Sequence, residues 1–472
     1  MVNMILHNLF NGLQQRRPVF YLLAVLLLCV CSVCAFYGLG LGGPPIQSDG
    51  FGYYAYLPSI FIYHDISMKW LAKTDLKLLG HYPPFEEGWT GVNEYGSSGR
   101  YLNQYGIGVS VMMSPFFLIA NELVQIFGLD SNGYSVAYQI SAIISGFFYF
   151  SLGLIFLFKF LGLYFGKDKV LFTLFVHVMG AGLFFYATLD STAVPSHLYS
   201  FCLVSTMLWV LASSSRYPLL FAIITGFVLG MIFMVRNINI LFGIIFALFG
   251  IKSFKELVGI IFNKSWWIRM ILAGCVFAIT ILPQLFYWKV VTGNWIVYSY
   301  QNVGFKWLSP EILNVLFGFR KGLFIYYPVL IFSVVGFFYL RKFMPEFSLP
   351  LLVFFPINVY LISSWHCWWY GGSFGMRPFV ESTPLFAMGF CSLLSGIKKK
   401  SVQDLLELTS VICCAWTIFY MLLYWFGVLP FDGMNWKRHL WIWYRFDWLF
   451  LLIMGTSILL YLKLWKQESL VR

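Results

Sequence analysis

Residues 19–41, VFYLLAVLLLCVCSVCAFYGLGL, form an apolar run without a charged side chain. About 20 such residues make a helix long enough to cross the hydrocarbon core of a bilayer. Similar runs recur along the 472 residues, of which 60% are hydrophobic and 11% charged. Soluble domains carry about 25% charged residues, so the composition predicts an all-α integral membrane protein. Arg16 and Arg17 precede a run that is too long for a cleaved signal peptide, which indicates a retained first span.

Clusters of Lys and Arg between the apolar runs predict the orientation, because basic residues concentrate in cytoplasmic turns. They indicate about 12 transmembrane helices in a single polytopic domain, residues 1–472, with no separate soluble domain and both termini cytoplasmic. Residues 105–127 and 136–163 both look like spans. Only one net crossing there keeps Lys167 and Lys169 inside, so we expect one of the two to be re-entrant or interfacial. The other spans are expected near 19–41, 170–188, 193–212, 219–235, 240–251, 270–290, 323–340, 349–364, 379–396, 408–427 and 448–462.

The longest predicted external loop, residues 42–105, begins with SDGFGYYAYLPS (48–59). It contains Asp49, the first acid of the chain, followed by Tyr53 and Tyr54. The stretch 51–79 is too aromatic for a disordered loop and predicts amphipathic interfacial helices, with Lys69, Lys73 and Lys77 on one face. This row of lysines fits either contact with anionic lipid or guidance of a lipid phosphate.

Two further external turns contain polar residues at the ends of spans. Asp190, in ATLDSTAVPSH (187–197), either caps a helix or faces a watery cavity or a cation. His197 is either a packed hydrogen-bonding residue or part of a site. Arg236 either extends to the interface or binds an anion.

The segment SSWHCWWYGGSFGMRP (363–378) surrounds His366 with aromatic residues and places glycines before Arg377. Aromatic faces suit sugar rings, and an arginine can bind phosphate with two parallel hydrogen bonds. An interfacial aromatic belt alone would need neither the glycines nor the arginine. The unusual polar residues therefore gather on the predicted external side.

Several classes of protein are not supported by the sequence. There is no GxxxxGK[ST] motif and no GxGxxG after a strand, so neither a nucleotide-driven pump nor a nucleotide-sugar enzyme is indicated. The net charge of +12 does not imply nucleic acid, because the basic residues gather in turns. The nine cysteines lie mostly in apolar runs, which is typical of membrane-packing thiols.

An ordered set of motifs resembles the GT-C superfamily of polytopic glycosyltransferases, which includes protein O-mannosyltransferases and aminoarabinose transferases. The motifs are SDGFGYYAYLPS, RYLNQYGIGVSVMMSPFF (100–117), LDSTAVPSH (189–197), RNINI (236–240), LFGFRKGLFIYYP (316–328) and WWYGGSFGMRPFVESTP (368–384). The resemblance implies a GT-C-like fold. It also implies that Asp49 is a general base and that Asp190 positions the acceptor or a metal. Gly50 stands where many relatives have a second acid, and Tyr82 where others have a phosphate-binding lysine.

The sequence and the resemblance together predict an inverting glycosyltransferase of a bacterial inner (plasma) membrane, acting on the external, periplasmic face. Its partners would be a polyprenyl-phosphate-linked sugar donor, a glycan, lipid or protein acceptor, and membrane lipid, without nucleic acid. No cofactor is implied with certainty, and a divalent metal held by Asp49 and Asp190 stays open. The alternatives are a flippase or other transporter of a lipid-linked saccharide and a non-catalytic envelope assembly protein. The expected substrate- and phosphate-binding residues are Arg100, Arg236, Arg320, Lys321, Arg377, Tyr53, Tyr54, His197, His366, Trp368, Trp369 and Glu381.

Overall fold

The computed structural model describes Ser32 and residues 45–73, 91–188, 196–214, 217–301 and 303–463. Helices dominate these residues. Among them, six helices are long and apolar enough to cross a membrane, or seven if one pair bent by 46° counts as a single span. The chain is therefore a polytopic helical membrane protein, as predicted. The full count of about 12 spans stays a prediction, and the run at 19–41 lies outside the described residues.

The described residues contain twenty α-helices, five 3-10 helices and one pair of strands. The α-helices are α1 (Asp49–Tyr54), α2 (Tyr56–Phe61), α3 (Gly108–Ile126), α4 (Val136–Leu161), α5 (Lys167–Gly180), α6 (Leu183–Thr188), α7 (Ser196–Ala212), α8 (Pro218–Val235), α9 (Gly243–Ala247), α10 (Phe254–Gly259), α11 (Lys264–Thr280), α12 (Leu282–Thr292), α13 (Ile312–Phe317), α14 (Leu323–Tyr326), α15 (Leu330–Gly336), α16 (Leu340–Phe343), α17 (Pro345–Ser364), α18 (Thr383–Gly396), α19 (Lys400–Trp425) and α20 (Trp436–Tyr461). The 3-10 helices are Lys69–Lys73, Asn237–Phe242, Ile260–Phe262, Phe337–Tyr339 and Arg377–Ser382. The strands are β1 (Val92–Glu94) and β2 (Tyr101–Asn103), which pair antiparallel.

Residues at the helix starts explain where several helices begin. Proline occupies the first turn of α8, α12, α17 and α18, where its missing N–H costs no hydrogen bond. Asn263 caps α11 by accepting a hydrogen bond from the Trp266 amide. Asn435 does the same for α20 through the Arg438 amide. These caps satisfy amides that would otherwise lack an intrahelical partner.

Glycines permit close contact between helices in the middle of the bundle. A Cβ added to Gly336 in α15 would lie 1.8 Å from the Gly389 carbonyl oxygen in α18. A Cβ on Gly389 would lie 2.1 Å from the Ser333 oxygen. Small residues at such crossings let the backbones approach, which is how helices pack without a hydrophobic driving force in lipid.

The described part of the first loop forms short helices instead of the long helical face expected over 51–79, and its position at the membrane interface stays a prediction. Residues 49–61 form two short helices whose tyrosines are buried, with Tyr54 and Tyr56 0% exposed. Lys69–Lys73 is a 3-10 helix, so Lys69 and Lys73 do not share an α-helical face. Lys77 lies outside the described residues. The β1–β2 hairpin in the same loop is a small exception to the all-α prediction.

Several predicted spans are not continuous helices, and two of them consist only of short pieces. Residues 240–251 contain the end of a 3-10 helix and the short α9, and residues 323–340 contain α14, α15 and another 3-10 helix. By contrast, α8 and α17 match the predicted spans at 219–235 and 349–364 closely. Apolar composition alone does not separate an unbroken span from a chain that is bent within the bundle.

Helices α3 and α4 both meet the length and hydropathy of a membrane span. Nevertheless, both ends of α3 lie beside the first loop. Tyr105, just before α3, contacts Asp49, and the turn after α3 accepts a hydrogen bond from the Tyr54 hydroxyl at the Gly133 carbonyl. This arrangement favours α4 as the single crossing in this region, which stays a prediction.

Three of the basic clusters adjoin residues that contact one another. The Tyr164 hydroxyl donates to Glu346 Oε1, and the Gly250 amide donates to the Glu346 carbonyl at 3.1 Å. These residues adjoin the basic pairs Lys167/Lys169, Lys252/Lys255 and Arg341/Lys342. These three of the turns assigned to the cytoplasm by charge are therefore neighbours in space.

Candidate functional site

Asp49 lies at the start of α1 and is the centre of the candidate site. Its Oδ1 accepts a hydrogen bond of 2.6 Å from the Tyr105 hydroxyl. Its Oδ2 lies 3.1 Å from Nη1 of Arg377, and the side chains of Asp49 and Arg377 are 27% and 23% exposed. The carboxylate is thus oriented by two partners but remains accessible.

The loop between β2 and α3 fixes the position of Asp49 relative to Tyr105. Asn103 Nδ2 donates to the Gly52 carbonyl at 2.6 Å, and Asn103 Oδ1 accepts from the Tyr105 amide at 3.0 Å. The Tyr56 hydroxyl donates to the Tyr105 carbonyl at 2.7 Å. One buried amide side chain therefore ties α1 to the residue that contacts its acid.

Glycines in the same loop bring it against the end of α8. A Cβ on Gly106 would lie 2.0 Å from the Met234 carbonyl oxygen, and one on Gly108 would lie 2.4 Å from the Val235 amide nitrogen. Any larger residue would push the loop away from Arg236, which follows α8 directly. The glycines of the GIG sequence therefore bring Arg236 close to the Asp49 region.

The surroundings of Asp49 keep its carboxyl group ionised. Burial raises its pKa, but the Arg377 guanidinium and the Tyr105 hydroxyl lower it, as do the charges of Arg236 and His197. The net pKa lies below the ordinary value of 3.8. An ionised carboxylate can accept a proton at neutral pH.

Behind Asp49, Glu381 forms a buried ionic cluster. Its Oε1 lies 3.1 Å from Arg236 Nε, and its Oε2 lies 3.1 Å from His197 Nδ1. The Glu381 side chain is only 2% exposed and that of His197 5%. Glu381 therefore orients Arg236 in this structure, and its predicted role in substrate binding stays a prediction.

Aromatic rings extend from Asp49 along one side of the site. The Tyr105 ring lies 4.5 Å from that of Tyr53 and 6.5 Å from that of Tyr300. Tyr300 lies 5.4 Å from Trp365, which contacts the exposed His366 at 4.9 Å. Such faces can contact the C–H groups of a sugar.

Arg320 is engaged in a separate cluster. Its Nε and Nη2 donate to both carboxylate oxygens of Asp432 at 2.6 and 2.7 Å. The guanidinium carbon lies 3.6 Å from the centre of the Trp369 ring and 6.0 Å from that of Trp368. Arg320 and the two tryptophans thus form a half-exposed group held by an ion pair and cation–π contacts.

Lys321 is buried, with 3% of the residue exposed. Its ammonium group donates to the carbonyl oxygens of Ser373 and Phe431. Burial lowers the pKa of Lys321, Asp432 raises it, and Arg377 and Arg320 lower it, to a net value of about 7. The Lys321 ammonium is thus occupied by backbone carbonyls in this structure, and its predicted contact with a donor phosphate stays a prediction.

The structure brings six of the fourteen predicted site residues together. Asp49, Tyr53, Arg377, Arg236, His197 and Glu381 form one region. Tyr54 is a packing residue, whose ring lies 5.9 Å from that of Phe117. Arg100 is exposed and donates to the Val290 carbonyl at 2.8 Å. Asp190 lies outside the described residues.

Sequence reasoning missed Tyr105, Asn103 and Asp432. Tyr105 and Asn103 lie within the RYLNQYGIG motif, but nothing in their spacing relates them to Asp49, which is more than fifty residues away. Asp432 follows a predicted span without any motif. A contact over 112 residues with Arg320 has no local signal.

Comparison with known proteins does not assign the chain to a group. No protein-family model matches the sequence, and no curated protein matches it. In the part of the chain that the structure describes, no three His, Cys, Asp or Glu side chains form a metal-binding group. The geometry around Asp49 is therefore the basis for assigning a function.

Proposed function

We propose that this protein is a membrane glycosyltransferase of the GT-C type, which moves a sugar from a polyprenyl-phosphate carrier to a hydroxyl acceptor on the external face. The observation that carries the proposal is the accessible ion pair between Asp49 and Arg377. A carboxylate can accept the acceptor's proton, and a guanidinium can stabilise a departing phosphate. The adjoining aromatic rings provide surfaces for a sugar.

In the proposed reaction, an Asp49 oxygen takes the proton of the acceptor hydroxyl. The acceptor oxygen forms a bond to the anomeric carbon as the bond from that carbon to the phosphate oxygen breaks. The bonding electrons leave with the phosphate, which gains negative charge and pairs with Arg377. Attack opposite to the leaving group inverts the anomeric configuration.

The short distance between Asp49 and Arg377 adds a requirement. In an inverting displacement the base and the leaving phosphate lie on opposite faces of the sugar. Arg377 therefore meets the phosphate only if its guanidinium leaves Asp49 Oδ2 when the donor binds. Because the pairing lowers the pKa of Asp49, its loss makes the carboxylate a stronger base once the donor is in place.

Arg236 lies behind the pair of Asp49 and Arg377 and provides a second positive charge for the donor phosphate. Its charge is partly balanced by Glu381, and its side chain is 17% exposed. Arg320 is occupied by Asp432 and Lys321 by backbone carbonyls. Arg377 is thus the principal phosphate contact in the proposal, with Arg236 as the second.

Glycan mass spectrometry of cells that lack the protein tests the proposed activity. We expect one sugar to disappear from a surface glycan, lipid or protein and to return when the wild-type chain is restored. Purified protein in vesicles should attach the labelled sugar of a polyprenyl-phosphate donor covalently to that acceptor. Movement of the donor across the vesicle membrane with no covalent product would instead identify a transporter and contradict the proposal.

A further inference from the structure

Two motifs that are far apart in the sequence meet at Lys321. The LFGFRKGLFIYYP segment contributes Lys321 and Tyr327, and the WWYGGSFGMRPFVESTP segment contributes Ser373, Phe374 and Arg377. The Lys321 ammonium donates to the Ser373 carbonyl and, at 3.2 Å, to the Phe431 carbonyl. One buried side chain therefore holds two turns, at 373 and at 431, in contact.

The next residue of the same turn is held by a second pair of donors. The hydroxyls of Tyr327 and Tyr186 both donate to the Phe374 carbonyl at 2.9 Å. Gly375 then has a φ of +59°, and a Cβ there would lie 2.5 Å from the Tyr327 hydroxyl. The turn thus follows the surface of Tyr327 in a conformation that favours glycine.

Arg377 is only four residues from Ser373 and two from Gly375. Its amide donates to the Gly375 carbonyl at 3.1 Å, and its guanidinium reaches Asp49. The backbone before Arg377 is therefore held at the consecutive carbonyls of Ser373 and Phe374, and the side chain of Arg377 is held at Asp49. Arg320 and Asp432 add a second connection, between the segment that carries Lys321 and the turn at 431.

We propose that Lys321 is a positioning residue, which holds the 371–376 turn so that Arg377 reaches Asp49 and, in the reaction, the donor phosphate. It does so through backbone carbonyls and touches no substrate. The assignment of Arg377 to the phosphate rests on the proposed glycosyl transfer, whereas the effect of Lys321 on the turn does not. The two claims can therefore fail separately.

The structural test is hydrogen–deuterium exchange on Lys321→Met in lipid nanodiscs. Methionine retains the length and loses the N–H donors, so amides of 371–377 should exchange at least tenfold faster than in the wild type, with the long helices unchanged. The control is Lys289→Met, because Lys289 is exposed and donates to a carbonyl of its own helix end. It should leave the 371–377 amides at the wild-type rate.

A second variant covers the case in which Lys321→Met exchanges rapidly everywhere because it does not fold. Tyr327→Phe preserves the ring and removes one of the two donors to the Phe374 carbonyl. It should accelerate exchange in the same turn by a smaller factor. If Lys321→Met folds, wild-type exchange rates of its 371–377 amides would overturn the proposal. If Lys321→Met does not fold, wild-type exchange rates of these amides in Tyr327→Phe would overturn it.

Kinetics test the consequence for the reaction. Displacement of a transition-state group by about 1 Å costs about 100-fold in rate. We expect Lys321→Met to lower kcat by a factor of that order with little change in KM, and Lys289→Met to leave both unchanged. Equal kcat in Lys321→Met and wild type would overturn the positioning role, while absence of transfer in the wild type would refute only the proposed function.

Discussion

At the scale of single residues, the site depends on how two acids are paired. Asp49 is accessible and shared between Tyr105 and Arg377, whereas Glu381 is enclosed with Arg236 and His197. The sequence identified both acids and both arginines but not which acid pairs with which arginine. Pairing is decided by contacts across hundreds of residues, and no local pattern encodes it.

The pKa of Asp49 gives a prediction on pH. Because the pKa of Asp49 is lowered in the folded protein, its ionised carboxylate stabilises the fold at pH values above the ordinary pKa of 3.8. This stabilisation is lost as the pH falls through the pKa of the folded state. In Arg377→Met the burial that raises the pKa remains while the main opposing charge is gone. The acid limb of the residual transfer rate should therefore move to higher pH, measured as a pH–rate profile.

Lys289→Met is the control, because it removes an exposed positive charge that does not contact Asp49. Its acid limb should coincide with that of the wild type. An unchanged acid limb in Arg377→Met would show that Asp49 is not the group that limits transfer at low pH.

Glu381 gives a prediction on stability. Its removal leaves the Arg236 charge buried without its carboxylate, and breaking a buried ion pair in this way costs about 3–5 kcal/mol. Glu381→Ala should lower the free energy of unfolding in detergent by that amount. Glu122→Ala, on the exposed face of α3, should change it by about 0.5 kcal/mol or less. Equal stability of the two variants would contradict the buried cluster.

At the scale of secondary-structure elements, hydropathy predicted the uninterrupted spans and failed at the broken ones. Helices α8, α17 and α19 lie where the apolar runs predicted membrane spans. The short helices between Leu323 and Phe343 have the same apolar composition as those spans. Interior segments can bend because neighbouring helices and side chains satisfy the freed backbone groups.

The crossing of α15 and α18 provides a prediction for packing. Gly336→Val places a side chain against the Gly389 backbone, where an added Cβ already lies 1.8 Å from the carbonyl oxygen. Such overpacking costs about 1–3 kcal/mol, measurable as a lower unfolding midpoint in detergent. Gly274→Val in α11 is the matched control, since no atom lies within 4 Å of its added Cβ. A midpoint for Gly336→Val equal to that of Gly274→Val would disprove the close crossing.

At the scale of the whole molecule, the charge pattern predicts that the acids and arginines of the site lie on the external side and the basic clusters on the cytoplasmic side. The contacts among Tyr164, Gly250 and Glu346 bring three of the basic turns together, as that prediction requires, while the division itself stays a prediction. The position of Asp49 within the first loop was predicted, but the burial of its tyrosines was not. Burial depends on α3, which follows the loop and packs along it.

Sidedness follows as a prediction. Ser98→Cys lies in the exposed β1–β2 hairpin, and Lys255→Cys lies in the exposed α10 segment. In intact cells a membrane-impermeant maleimide should label Ser98→Cys and spare Lys255→Cys, and both should react after permeabilisation. Labelling of Lys255→Cys in intact cells would reverse the proposed orientation.

The most direct test of the central claim is the transfer rate of Asp49→Asn at equal abundance in the membrane. The amide preserves shape but cannot take a proton from the acceptor, and loss of a general base costs about 100- to 10,000-fold. Asp130→Asn, the same change at an exposed acid in the turn after α3, should retain the wild-type rate. Asp49→Asn should show no transfer above background, whereas a wild-type rate in that variant would contradict the account.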